Sequence, residues 1–294
     1  MEIFGIPIQA FLGQLLLGLV NGSFYAMLSL GLAVIFGLLG IVNFAHGALY
    51  MLGAYAAWIG MDSFGINFWV SLLLAPLLVG ALGVVIERTL LKPLYKIDPI
   101  YGLLLTFGLA LVAEGLMREK YGVSGQSYAV PELLRGATNL GFMILPNYRG
   151  FIIFASLFVC LGTWFVIEKT SLGATLRAGT ENPKLVQAFG INVPVMVMLT
   201  YGFGAALAAL AGVLAAPVIQ VTPLMGSHMI IVVFAVVVIG GMGSILGSIL
   251  TGIALGLIEG LTKVFYPEAS NVAVFVIMAI VLVIRPAGLF GKEA

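Results

Sequence analysis

The sequence predicts an all-α, polytopic membrane bundle of about 8–10 transmembrane helices that includes broken or re-entrant segments, and three observations carry that prediction. The first is composition. The 294 residues are 62% hydrophobic and only 9% charged, and mean hydropathy is +1.18. A soluble domain is about 45–50% apolar and roughly 25% charged, so this chain lacks the charge for a hydrated shell. The second is run length. Each crossing takes about 20 apolar residues as a helix, which allows roughly 8–10 crossings and little else. The third is pattern. The apolar runs are long and continuous, without the two-residue alternation of a membrane barrel.

The elements follow in order. The opening "MEIFGIPIQAFLG" has no Lys or Arg ahead of its apolar run and no small-x-small cleavage site, and reads as a first span instead of a cleaved signal. The first 60 residues hold two or three crossings, broken near Asn21–Gly22 and near Asn43–Gly47. Further spans are expected at 66–86, 101–117, 150–167 and 194–216. Residues 229–263 read as two helices or a re-entrant hairpin joined at "IGGMGS" (239–244), and a last span covers 271–284.

Basic residues orient the bundle. Arg88, Lys92, Lys96, Lys169, Arg177, Lys184, Arg285 and Lys292 fall in one set of loops, against Arg118, Lys120, Arg135, Arg149 and Lys263 in the other. The bias places 87–100, 168–193 and the C-terminal segment inside, and 118–149 outside. An N-terminus on the inside would require three crossings in the first 60 residues.

Small residues recur every fourth position at Gly204, Ala208 and Gly212, and again at Ser244, Ser248, Gly252, Gly256 and Gly260. In lipid such faces let helix backbones approach closely, within the chain or against a second subunit. Two pairs of opposite charge stand four residues apart near span ends, Glu114 with Arg118 and Glu259 with Lys263. Pairing on one helix face is the plain expectation for both, with a relay of protons or ions as the other.

The segment 168–194 carries the clearest helix punctuation outside the spans. Asn182 suits an N-cap, Pro183 the first helical position and Gly190 a left-handed stop, which defines a short helix over about 183–189. Leu185, Val186 and Phe189 share its apolar face, and residues 172–178 form a second turn of helix with Arg177 exposed. That face either lies against the bundle or inserts into a groove on a soluble partner.

In "GIVNFAHGALYMLGAY" (40–55) an amide and an imidazole interrupt an apolar run. Asn43 and His46 either satisfy carbonyls freed where Gly47 loosens the helix, or line the path that broken helices tend to border. No phosphate loop, zinc motif, nucleophile elbow or paired-cysteine motif occurs, and Cys160 is the single cysteine. A membrane enzyme therefore lacks its machinery, and any ATP-driven work falls to another chain. The net charge of +1 gives no field for nucleic acid.

Four segments in order resemble the permeases of branched-chain amino acid ABC transporters, the LivH type. They are "NGSFYAMLSLGLAVIFGLLGIVNFAHGALYMLGAY" (21–55), "TSLGATLRAGTENPKLVQAFGIN" (170–192), "VVIGGMGSILGSILTGIALGLIE" (237–259) and "IRPAGLFG" (284–291). The resemblance implies that residues 1–294 make one transmembrane permease domain with a cytoplasmic coupling loop at about 168–193. It implies residence in the bacterial inner membrane beside a LivM-type permease. Two LivG/LivF-type ATPases would hold ATP and magnesium, with no cofactor in this chain, and a periplasmic solute-binding protein would deliver the substrate. It assigns Arg177, Glu181, Lys184, Leu185, Phe189 and Gly190 to ATPase coupling, and Asn21, Ser23, Tyr25, Asn43, His46 and Gly47 to the path or its hinge. Importers of urea, amides or aromatic and other carboxylic acids share this signature. Ribose-type permeases differ around it, and an ion-driven secondary carrier is the reading from another class.

Overall fold

The computed structural model describes residues 2–3, 6–40 and 42–291. Lys292, counted above among the inner cations, lies outside the described residues. Eleven α-helices make almost all of the fold: α1 (Ile8–Leu39), α2 (Ala45–Phe64), α3 (Phe68–Ile86), α4 (Pro99–Tyr121), α5 (Asn147–Lys169), α6 (Ser171–Glu181), α7 (Pro183–Ala188), α8 (Val193–Ala215), α9 (Met225–Gly240), α10 (Ile245–Phe265) and α11 (Ser270–Ile284). Two small antiparallel hairpins complete it, one of Glu2–Ile3 with Ile6–Pro7 and one of Ala137–Asn139 with Ile144–Pro146.

Six helices are long and apolar enough to cross a membrane; with α2 and the shorter apolar α9 and α11 they make nine among the described residues. α1 runs antiparallel to α10, because Gly18 faces Gly256 and Gly260, Gly22 faces Ile253, and Gly37 faces Gly243. α3 likewise runs antiparallel to α8, Gly80 meeting Ala206 and Gly83 meeting Gly202. Residues 229–263 are thus two helices and not a single hairpin dip, separated by Gly241 and Gly243 at φ 100° and 85°.

The loops sort as the charges do. Gly40, Leu94, Tyr95, Gly179 and Pro183 line one cavity, and Gly37, Glu168, Arg177 and Gly243 line another, so these connections share the more basic end. At the opposite end Gln126 bridges Val221, and the Tyr148 hydroxyl donates to the Leu214 carbonyl at 2.9 Å. Because Gln14 meets Gly260 there, α1 starts at that opposite end, and two crossings suffice for the first 60 residues.

One expected break is absent. α1 continues through Asn21–Gly22 to Leu39. Gly22 serves instead as a contact point, where an added Cβ would press on the backbone of Gly252 and Ile253. The same holds for both small-residue faces. Gly252, Gly256 and Gly260 seat on α1, Gly204 on Gly31 and Ile35 of α1, and Gly212 on Tyr50 of α2. The close approach predicted from sequence is therefore made within the chain. It leaves α1 the most enclosed span, while α4 is the least enclosed.

Candidate functional site

The second break is real and lies just ahead of Gly47. Gly40 ends α1 in the left-handed region at φ 62°, its N–H donating to the Phe36 carbonyl at 2.9 Å, and α2 begins at Ala45. Gly47 is inside α2 and loosens nothing; it packs against Gly226 at the start of α9, where a side chain on either would strike the other's backbone. The missing side chain of Gly47 is what permits the close contact with α9.

Asn43 is 1% exposed and His46 is fully buried. The His46 Nε2 faces the Leu28 carbonyl at 3.0 Å and so carries the proton, leaving Nδ1 as an acceptor without a partner. Leu28 lies in the middle of α1, so the carbonyl it satisfies is not one freed by the break. Asn43 lies beside Tyr201, yet no hydrogen bond of acceptable geometry joins them, and both ends of the amide are unpaired. The clamp on the break comes from α4. The Phe44 N–H donates to Thr106 Oγ1 at 3.2 Å, and that hydroxyl lies 3.0 Å from the Leu103 carbonyl and 3.4 Å from Val42's. Phe44 also stacks on Phe234 and meets Phe107 edge-on, each at 6.1 Å. Sequence reading missed Thr106, because one threonine in an apolar span carries no spacing signal.

A second polar group forms where α1 meets α10. Glu259 accepts from the Tyr25 hydroxyl at 2.6 Å and from Asn21 Nδ2 at 3.4 Å, and it pairs with Lys263. The expected Glu259–Lys263 bridge thus forms and recruits two residues assigned to the path. Ser23 does not join them; its hydroxyl bonds back to the Leu19 carbonyl at 2.9 Å inside packed α1. The Glu114–Arg118 bridge does not form, since Glu114 instead accepts from the Ser227 hydroxyl at 2.6 Å. Near the basic end, Glu87 is buried on a π-helical turn (Glu87–Leu91) that prolongs α3, and it accepts from Tyr95 at 2.8 Å. Sequence reading placed this stretch in a loop, since it follows an apolar run with charges.

The short helix at the basic end forms as its punctuation predicts. Asn182 Oδ1 accepts from the Leu185 N–H at 3.0 Å, Pro183 opens α7, and Gly190 adopts φ 83°. Its apolar residues separate, however. Val186 turns inward at 6% exposure, whereas Leu185 and Phe189 are 53% and 78% exposed. Leu185 and Val186 are adjacent positions about 100° apart around the axis, so the face carrying Val186 anchors α7 while Leu185 and the C-capping Phe189 are left uncovered. Glu181 and Lys184 are also exposed. Arg177 is exposed, as expected, and is also tied down. It donates to the Ile167 carbonyl at 2.6 Å and pairs with Glu168 at 3.5 Å, fastening α6 to the end of α5.

A family model described as "Branched-chain amino acid transport system / permease component" matches residues 14–284. The chain is 32% identical over 300 residues to the high-affinity branched-chain amino acid transport system permease protein BraD of Pseudomonas aeruginosa, covering 97% of each. It is 28% identical over 297 residues to LivH of Escherichia coli (strain K12), covering 96% of each. It is also 26% identical over 290 residues to LivM of the same bacterium, covering 90% of this chain and 67% of that one.

Proposed function

The chain belongs to the branched-chain amino acid transport permease family, and on that premise we propose that it forms one half of the membrane path of an ABC importer in the bacterial inner membrane. The cargo is L-leucine, L-isoleucine and L-valine, in keeping with the names of the relatives. A LivM-type permease forms the other half; similarity to LivM supports two permeases of one ancestry packing as a pair. Two LivG/LivF-type ATPases bind ATP and magnesium on the basic side, and a periplasmic binding protein delivers the amino acid to the opposite mouth.

The observation that carries this reading is the uncovered apolar face of a capped helix. Leu185 on α7 and Phe189 at its C-terminal end are exposed at the basic end, where the rest of the chain does not cover them. An apolar helix face of this kind is what a groove on a soluble partner accepts. Its mounting suits force transmission. Val186 roots α7, Arg177 ties α6 to α5, and Gly179 touches Met196 of α8. α8 in turn packs on α1 through Gly204 and on α2 through Ala209, the helix that starts at the break. ATP-driven closure of the ATPases would move α6 and α7 and rock the elements beside residues 40–44. Asn43 fits a moving part, because a buried amide without partners costs about 1–3 kcal/mol and gains if another arrangement supplies them.

Phe189→Asp in the assembled importer tests the reading. Substrate-stimulated ATP hydrolysis and uptake are expected to fall about tenfold or more, the effect of losing one apolar anchor of an interface. The permease pair should still purify intact, since Phe189 contributes little to the fold. Full stimulation and uptake in this variant would overturn the coupling role.

A further inference from the structure

Glu114 is an acid inside a membrane-length helix for which no ion pair forms among the described residues. Its neighbour at one helical turn, Arg118, does not reach it. It lies seven residues before the end of α4, about 10 Å along the helix axis. An ionisable group at such depth marks a substrate or ion pathway more often than a packing device.

Glu114 does not point into packed protein. It lines a cavity of about 310 Å³ enclosed by the start of α2, the outer half of α4 and the start of α9. The remaining wall is apolar, with Phe44, Met51, Phe107 and Ile230 among its members, and Ser227 holds the Glu114 carboxyl group in place. The volume sits at the lower end of small-molecule clefts, which run from about 300 to 1,000 Å³. A metal ion would need several oxygen or nitrogen ligands, and among the described residues no group of three such side chains forms. One acid facing an aliphatic wall instead suits a small molecule with a single ammonium group and a branched hydrocarbon side chain.

We propose that this cavity receives the amino acid during its passage, the Glu114 carboxyl group meeting the α-ammonium and the wall of Phe44, Met51, Phe107 and Ile230 meeting the side chain. The proposal rests on the importer reading above and adds the place in the chain where cargo is held. The cavity adjoins the break, because Phe44 and Gly47 both line it. Movement of residues 40–44 would therefore reshape the site directly. Leu111 and Ile231 at its rim are more than half exposed, so the cavity opens sideways on a face that a second permease can close.

The test uses the full importer in proteoliposomes with its leucine-loaded binding protein. Glu114→Gln is expected to lower maximal uptake about tenfold or more, the loss of one charge-assisted contact, without moving the concentration of loaded binding protein at half-saturation. Glu114→Asp should restore most of that rate, which a packing role would not, because the shorter side chain packs worse than glutamine. Ala110→Cys, a small change on the cavity wall, gives an independent measure: a bulky thiol reagent on the introduced sulfur should block uptake. Wild-type maximal uptake in Glu114→Gln, or uptake that survives complete labelling at position 110, would overturn the proposal. No ATP-dependent leucine uptake by the unmodified importer would instead overturn the importer reading itself.

Discussion

Two polar groups on neighbouring stretches of chain are finished to different degrees. On α1, Asn21 and Tyr25 meet Glu259, which also holds Lys263, so the buried carboxyl group has a partner on every side. Beyond the end of α1, the Asn43 side chain has no hydrogen bond and His46 uses one ring nitrogen of two. The first group sits on a seam of glycines where backbones touch. The second sits at a change of direction clamped by single contacts from Thr106 and two aromatic rings. A satisfied network in a close-packed seam resists rearrangement, whereas unpaired groups at a break lose little when the break moves. On the importer reading proposed above, the seam is the frame and the break is the part that changes.

Three substitutions sharpen or break that contrast. Gly256→Leu should have the largest effect, because a side chain there would collide with the backbone of Gly18 and Gly22. Overpacking of this kind costs about 1–3 kcal/mol or more, and with backbone on both sides the variant is expected not to accumulate as folded protein in membranes. Normal yield and melting temperature would mean that the seam gives way easily. Tyr25→Phe comes next. It deprives Glu259 of a charge-assisted hydrogen bond worth about 1.5–3 kcal/mol, so thermal unfolding in detergent should occur at a clearly lower temperature. Asn43→Ala is expected to change stability least, since no hydrogen bond is lost, while leucine uptake falls. A melting temperature lowered as far as that of Tyr25→Phe would erase the distinction between frame and moving part.

How far these regions were legible in the sequence differs for physical reasons. Helix caps are local: Asn182, Pro183 and Gly190 satisfy or end a few backbone groups, and α7 formed where they stand. The four-residue small-residue faces were also legible, because their spacing is a property of a single helix, although only packing revealed that the partner is α1 and α2 of the same chain. The Glu114–Arg118 pair shows the limit of local reasoning. Spacing made the bridge possible, but Ser227, far away in sequence, offered Glu114 the nearer donor. Gly22 and Gly47 were read as helix breakers, the common meaning of glycine in water. Inside the bundle both are contact points, and helix continuity survives because neighbouring backbones fill the space.

Composition, run length and the basic bias of the loops were enough to determine an all-helical membrane protein and which of its loops share an end, since each depends on transfer between water and lipid residue by residue. The ordered signatures were enough to determine the family. Tertiary structure alone decided which polar groups meet: that Tyr25 and Asn21 serve Glu259, that Thr106 clamps the break, and that Glu114 is left facing a cavity. Those outcomes depend on which helix faces touch, and a face acquires its neighbours only when the whole bundle has closed.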